Sequence, residues 1–175
     1  PDGDPQAPSA RAPLCAPPHG LPQRATWPVP ALACDCHAHV IGPHAQYPLS
    51  PDRVYTPPEC PTDAYLALLD SLGITRAVLV QPSIYGHDNR LLMHALARAP
   101  GRLRGVAVVD ADVPEHDLAQ MHAHGVRGVR FNLVDRHDPT PDLPWAALEA
   151  LADRVRRHDW HLELLVHAED LRDAD

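Results

Sequence analysis

The segment Asp35-Cys36-His37-Ala38-His39 sets two imidazoles two residues apart. At the end of a β-strand, side chains at i and i+2 project from the same face, so His37 and His39 would stand together. Two imidazoles so arranged can hold a divalent metal or polarise a carbonyl. The carboxyl ends of strands in a parallel α/β sheet face the active site, and this pair falls at such an end. The bland alternative is two exposed loop histidines in a chain that has 13.

Three other groups can carry chemistry. Gly125-Val126-Arg127-Gly128-Val129-Arg130-Phe131-Asn132 reads as a strand with Arg130 and Asn132 at its carboxyl end. A buried arginine there needs an anionic partner, either a substrate carboxylate or a carboxylate of the chain itself. Arg136 follows in the next loop, and Arg127, at the opposite end of the strand, is structural in this reading. In Gln81-Pro82-Ser83-Ile84-Tyr85-Gly86-His87-Asp88-Asn89, Ser83 and Tyr85 can donate hydrogen bonds into a site, while Asp88 can equally cap the next helix. Ser83 lacks the Gly-x-Ser-x-Gly setting of a nucleophile elbow. His167, just past the last apolar run, is either a third metal ligand or a helix-cap histidine facing solvent. The remaining histidines fall mainly on helices and loops and are expected at the surface.

The elements that must position these residues alternate along the chain. Apolar runs predict strands over 31–35, 76–81, 103–110, 126–132 and 160–166. Between them, helical spacing predicts one helix capped by Thr62, with Tyr65, Leu68, Leu69 and Leu72 on one face and Gly73 at its end. Further helices are predicted over 88–99, with Leu91, Leu92, Ala95 and Leu96 inward; over 114–124, with Pro114 in the first turn; and over 144–158, with Trp145, Leu148, Leu151 and Val155 inward. Another helix is expected to start at Glu169. The strands are continuous apolar runs, as in a parallel sheet covered on both faces. Part of a (β/α)8 barrel and a five-stranded doubly wound sheet both satisfy this pattern.

Composition narrows the class. The chain has 175 residues, a formal net charge of -8, and 15 basic residues, all arginine. Scattered arginines on an acidic chain oppose nucleic-acid binding, and no run approaches the roughly 18 apolar residues of a membrane span. Cys15, Cys34, Cys36 and Cys60 show no zinc-finger spacing, which fits reduced thiols in a cytoplasmic protein. Residues 1–30 hold nine of the 21 prolines and are expected to be disordered or extended, with the folded domain over 31–175.

As an ordered set, Asp35-Cys36-His37-Ala38-His39-Val40-Ile41-Gly42-Pro43, Tyr55-Thr56-Pro57-Pro58, Val80-Gln81-Pro82-Ser83, Asp88-Asn89-Arg90, Arg104-Gly105-Val106-Ala107 and Gly125 to Asn132 resemble the amidohydrolase-related family, nearest its 2-pyrone-4,6-dicarboxylate lactonase branch. The resemblance covers about residues 32–172. It implies the barrel, here the N-terminal part with about five βα units, and hydrolysis of a lactone or related bond in a small carboxylated compound. It implies that His37 and His39 surround the scissile carbonyl and that Arg130 and Arg136 bind substrate carboxylates, helped by Tyr55 and Ser83. Relatives of this kind include metal-free lactonases and zinc enzymes; in the second case His37, His39 and His167 are the expected ligands. A histidine near a sixth strand and a general-base aspartate on the last strand would follow Asp175, so the chain is expected to be truncated and weakly active alone. Two departures stand out: Leu165 where the branch has a tyrosine, and His167 where it has other residues. A decarboxylase of the same superfamily, or a non-catalytic metal- or ligand-binding module, are the alternatives; homo-oligomers are compatible with either.

Overall fold

The computed structural model describes residues 12–21, 26–135 and 145–167. Strands β1 (Cys34–Ala38), β2 (Arg76–Val80), β3 (Leu103–Ala107), β4 (Val126–Asn132) and β5 (His161–Leu165) alternate with helices α1 (Thr62–Leu72), α2 (Arg90–Arg98), α3 (Glu115–His124) and α4 (Trp145–Val155). All four strand pairings are parallel, and the sheet order is β1-β2-β3-β4-β5. That order separates the two architectures. A doubly wound sheet reverses its strand order at a switch point, whereas a barrel adds strands in sequence. The sheet curls into a half-barrel, with helices packed outside β3, β4 and β5.

The expected inward faces of the helices hold with one exception. Leu91, Leu92, Ala95 and Leu96 of α2 are buried, as are Leu148, Leu151 and Val155 of α4. Trp145 is 48% exposed, because a helical side chain leans back over the preceding turn and Trp145 is the first residue of α4. In α1 only Leu69 is fully buried. Leu69, Leu79, Ile84, Leu96, Leu103, Leu118, Leu151, Val126 and Val129 form the tightest part of the core between sheet and helices.

Boundaries moved for physical reasons. β1 starts three residues later than expected, because its pairing with β2 begins at Cys34 opposite Arg76. Thr62 is the first residue of α1 rather than its cap, which is Pro61; likewise Pro114 caps α3 from outside. α1 and α3 end at Gly73 (φ 74°) and Gly125 (φ 106°), whose left-handed conformation lets each N–H return to the last turn. β3 stops at Ala107 because the side chain of Asn89 replaces the next strand partner: Val108 N–H donates to its Oδ1 (3.1 Å), and its Nδ2 donates to Val108 O (2.7 Å). Within the Pro-rich N-terminal stretch, Pro13 to Cys15 runs beside Thr56, with hydrogen bonds in both directions. The helix expected from Glu169 lies outside the described residues. Among the described residues, no helix is long and apolar enough to cross a membrane.

Candidate active site

The site is built where β1, β2, β4 and β5 end. His37 is the penultimate residue of β1, and His39 is the first past it. Their rings meet edge to face, with centroids 5.2 Å apart. His39 Nδ1 lies 2.7 Å from Val80 O, at the end of the neighbouring strand. A carbonyl can only accept, so Nδ1 carries the proton and Nε2 is left with its lone pair. Burial, more than the nearby His37 and Arg130, pushes the His39 imidazole below its ordinary value, so the neutral ring dominates near pH 7. Asp35, on the same strand, is a brace: its carboxylate accepts from the Tyr65 hydroxyl (2.9 Å) and from His37 N–H (3.3 Å).

Strand register brings an arginine and a glutamate together. Arg130 on β4 pairs with Glu163 on β5, and residues paired across parallel strands project to the same face. Arg130 Nε lies 3.3 Å from Glu163 Oε1, and His37 Nδ1 lies 3.8 Å from the same oxygen. The Arg130 side chain is 7% exposed. One guanidinium nitrogen, Nη1, donates to Gln81 O at 3.3 Å. Nε is within ion-pair reach of Glu163 but lacks the alignment of a hydrogen bond, so this buried donor is unsatisfied.

A second carboxylate stands nearby. Asn132 closes β4 with an Asx turn, its Oδ1 accepting from Val134 N–H (3.1 Å) and Asp135 N–H (3.0 Å). Its Nδ2 donates to Asp135 Oδ2 at 2.8 Å, and the Ser83 hydroxyl donates to the same oxygen at 2.8 Å. Tyr55 lies beside Ser83, and its hydroxyl is pushed above its ordinary value, mainly by burial. Tyr55 reaches the site from the β1–α1 loop, where Arg53 ties Ser50 to Thr56 and Ser50 N–H donates to Ile84 O. Gln81, Ser83, Arg130, Phe131, Asn132 and Asp135 line one cavity of about 310 Å³.

His37, His39, Arg130, Ser83 and Tyr55 are therefore gathered at one end of the sheet. Tyr85 is a correction: it is buried in the core, and its hydroxyl accepts from Gly42 N–H instead of facing the site. Asp88 does serve the start of α2, accepting from Arg90 N–H and pairing with the Arg90 side chain. Arg127 holds its own end of the sheet, donating to His122 O and Val126 O. Arg136 lies outside the described residues. His167 is exposed, two residues past β5. Among the described residues, no three His, Cys, Asp or Glu side chains are grouped to hold a metal ion. His37 and His39 alone are an incomplete ligand set for zinc, which takes at least three protein ligands.

Sequence reasoning missed Glu163 and Asp135. For Glu163 a signal existed, since an acid in the middle of the apolar run from Trp160 to Val166 needs a partner. Asp135 carried no comparable signal, because an aspartate in a loop is unremarkable.

A sequentially ordered parallel half-barrel with histidines at the carboxyl end of β1 defines the class, and the chain belongs to the amidohydrolase family, whose model matches residues 34–175. It is 40% identical over 151 residues to a 2-pyrone-4,6-dicarboxylate hydrolase of Comamonas testosteroni, covering 86% of this chain and 48% of that protein. It is 34% identical over 158 residues to a 4-sulfomuconolactone hydrolase of Rhizobium radiobacter, covering 90% and 52%. A solved structure from Acinetobacter baumannii, of a probable 2-pyrone-4,6-dicarboxylic acid hydrolase with citric acid bound, superposes with a TM-score of 0.69 at 31% identity, covering 79% of this chain and 51% of that one. The chain thus spans about half the length of the curated relatives it matches.

Proposed function

We propose that this chain supplies the first half of the active site of a hydrolase that opens the lactone ring of a small carboxylated compound. The observation that carries the reading is Arg130: a buried guanidinium on the wall of a cavity, with an N–H that its own glutamate does not satisfy. A substrate carboxylate in that cavity pairs with the guanidinium charge, which the chain's own hydrogen bonds leave incompletely satisfied. Ser83 lines the same cavity with its hydroxyl proton on Asp135 and its lone pairs free to accept from a substrate hydroxyl, Tyr55 is a further hydroxyl contact, and Arg136 is a further carboxylate partner in this proposal. The relatives named as lactone hydrolases support the substrate class.

The two histidines then have separate tasks. His39, neutral and protonated on Nδ1, presents Nε2 as a proton acceptor to an attacking water, the task that the family resemblance gives to an aspartate of the last strand. This differs from an equal share of both rings in stabilising the carbonyl oxygen, since Nε2 has no proton to give. His37 retains an N–H for the negative charge that builds on that oxygen. Water oxygen bonds to the carbonyl carbon, its proton passes to His39 Nε2, and the ring C–O bond breaks. The same proton then returns to the departing oxygen. No step is routed through a metal.

The test is ring opening of carboxylated lactones by the intact protein, followed by loss of the lactone chromophore and by product mass. His39→Gln is expected to lower kcat about 10²- to 10⁴-fold, the range for a lost acid–base group. Unchanged rates in both His39→Gln and His37→Ala overturn the assignment. Release of carbon dioxide in place of a hydroxy-acid product replaces it with decarboxylation.

A further inference from the structure

The stretch ahead of β1 meets the β1–α1 loop at Thr56. The Thr56 N–H donates to Pro13 O (2.7 Å) and its carbonyl accepts from Cys15 N–H (2.9 Å), the pairing of a short parallel strand. Its hydroxyl donates to Ala12 O (3.1 Å) and accepts from Arg53 Nε (3.0 Å). Three of these four partners lie in residues 12–15. The contact buries little apolar surface: Leu14 is 84% exposed, and Cys15 is exposed as well. Backbone pairing, not core packing, is what this segment supplies. The loop it meets is closed at its base by the pairing of Ile41 with Cys60, at 2.8 Å in each direction. Tyr55 directly precedes Thr56, and the peptide unit joining the two is the one whose N–H Pro13 accepts. Tyr55 itself is partly buried against the core, where the charges of Arg130 and Asp135 reach it.

We propose that residues 12–15 form a strap that positions Tyr55 for substrate binding, acting through Thr56. The proposal rests on the reading of Tyr55 as a substrate contact. Loops that carry binding residues open locally at low free-energy cost, and a contact in place only part of the time weakens the apparent affinity by that fraction. The strap removes this loss. With the Tyr55–Thr56 peptide, the Thr56 carbonyl and the Thr56 hydroxyl all engaged, the backbone at Tyr55 cannot retreat from Ser83 unless those bonds break together. Arg53 extends the same brace inward: Nη1 donates to Ser50 O (3.0 Å), and Ser50 N–H donates to Ile84 O (2.7 Å), next to Ser83. A segment outside the sheet thereby tunes affinity at the site.

The test uses the intact protein, with benzene-1,3-dicarboxylate as a probe of the carboxylate site that has no ring to open. Cys15→Pro removes the N–H that pairs with Thr56 O, and Cys15→Ala keeps it. Thr56→Val removes the hydroxyl, and Thr56→Ser restores it. Cys15→Pro and Thr56→Val are expected to raise the calorimetric Kd roughly 3- to 10-fold, the population shift set by one hydrogen bond of ordinary strength. Hydrogen exchange, read by mass spectrometry on peptides spanning 50–58, is expected to quicken in the same two variants. Cys15→Ala and Thr56→Ser are expected to match the wild type in both readouts. Tyr55→Phe is expected to weaken binding, and adding Cys15→Pro to it should weaken binding little further, because the strap acts through Tyr55. Thermal melts establish that each variant is folded. Faster exchange with an unchanged Kd, while Tyr55→Phe weakens binding, leaves the strap a structural role only and overturns the proposal. A wild-type Kd in Tyr55→Phe, or no binding of the probe at all, overturns the reading of the site and the proposal with it.

Discussion

The hydrogen bond from His39 Nδ1 to Val80 O decides which nitrogen of that ring can do chemistry, and burial decides its charge. The lowered folded-state value also makes a stability prediction. The unfolded chain takes up a proton at His39 near the ordinary histidine value of 6.5, and the folded chain does so only at lower pH. Stability from this group is therefore present above about pH 6.5 and is lost as pH falls through the folded value. Urea midpoints between pH 7.5 and 5 should fall more steeply for the wild type than for His39→Asn, whose side-chain amide can still donate to Val80 O. Parallel pH dependences would remove the buried neutral imidazole from the account. Other histidines titrate in both proteins, so the difference between the two curves isolates His39.

At the scale of elements, two strand glycines predict opposite outcomes. A Cβ on Gly105 of β3 would lie 2.9 Å from Leu96 Cδ1, with Leu92 and Val126 at 3.4 Å. Leu92 and Leu96 are the buried stripe by which α2 packs on β3, so the helix cannot yield without opening the core. Gly105→Ala should cost about 1–3 kcal/mol, the usual range for overpacking. A Cβ on Gly128 of β4 would meet the ring of His161 at 2.6 Å. His161 is exposed on β5 and can turn its ring into solvent, so Gly128→Ala should change stability by less than about 0.5 kcal/mol. Denaturant melts of the two variants check this; equal costs would mean that helix packing on β3 is looser than described. This scale was largely legible in advance. The apolar spacing of α2 and α4 picked out most of their buried residues, because a helix face repeats every turn whatever it packs against. The misplaced ends of β1 and β3 were not legible, since pairing register and the Asn89 side chain set them from across the fold.

At the scale of the whole molecule, the sheet is open among the described residues: β1 and β5 each have one strand partner. Much of β1 is exposed, at Cys34, Cys36 and His37, and Leu164 of β5 is 39% exposed. Unpaired parallel edges with apolar side chains template association with other strands. The 175-residue chain alone should self-associate at concentrations on the order of 10 µM, as read by light scattering and sedimentation. A monomer that unfolds in one cooperative transition at that concentration would show that its edges are covered.

The chain's own pattern of residues was enough to establish the βα alternation, the helix faces and the pair His37 and His39, because each follows from short-range periodicity and spacing. The choice between barrel and doubly wound sheet needed the strand order, which residue periodicity leaves open. Only the tertiary structure could join Arg130 to Glu163 across β4 and β5, and Ser83 to Asp135 across 52 positions of sequence. Those pairings depend on which strands lie side by side and in what register, a property of the assembled sheet that no local segment encodes. The same is true of His39, whose tautomer is set by a carbonyl on the neighbouring strand, 41 residues away.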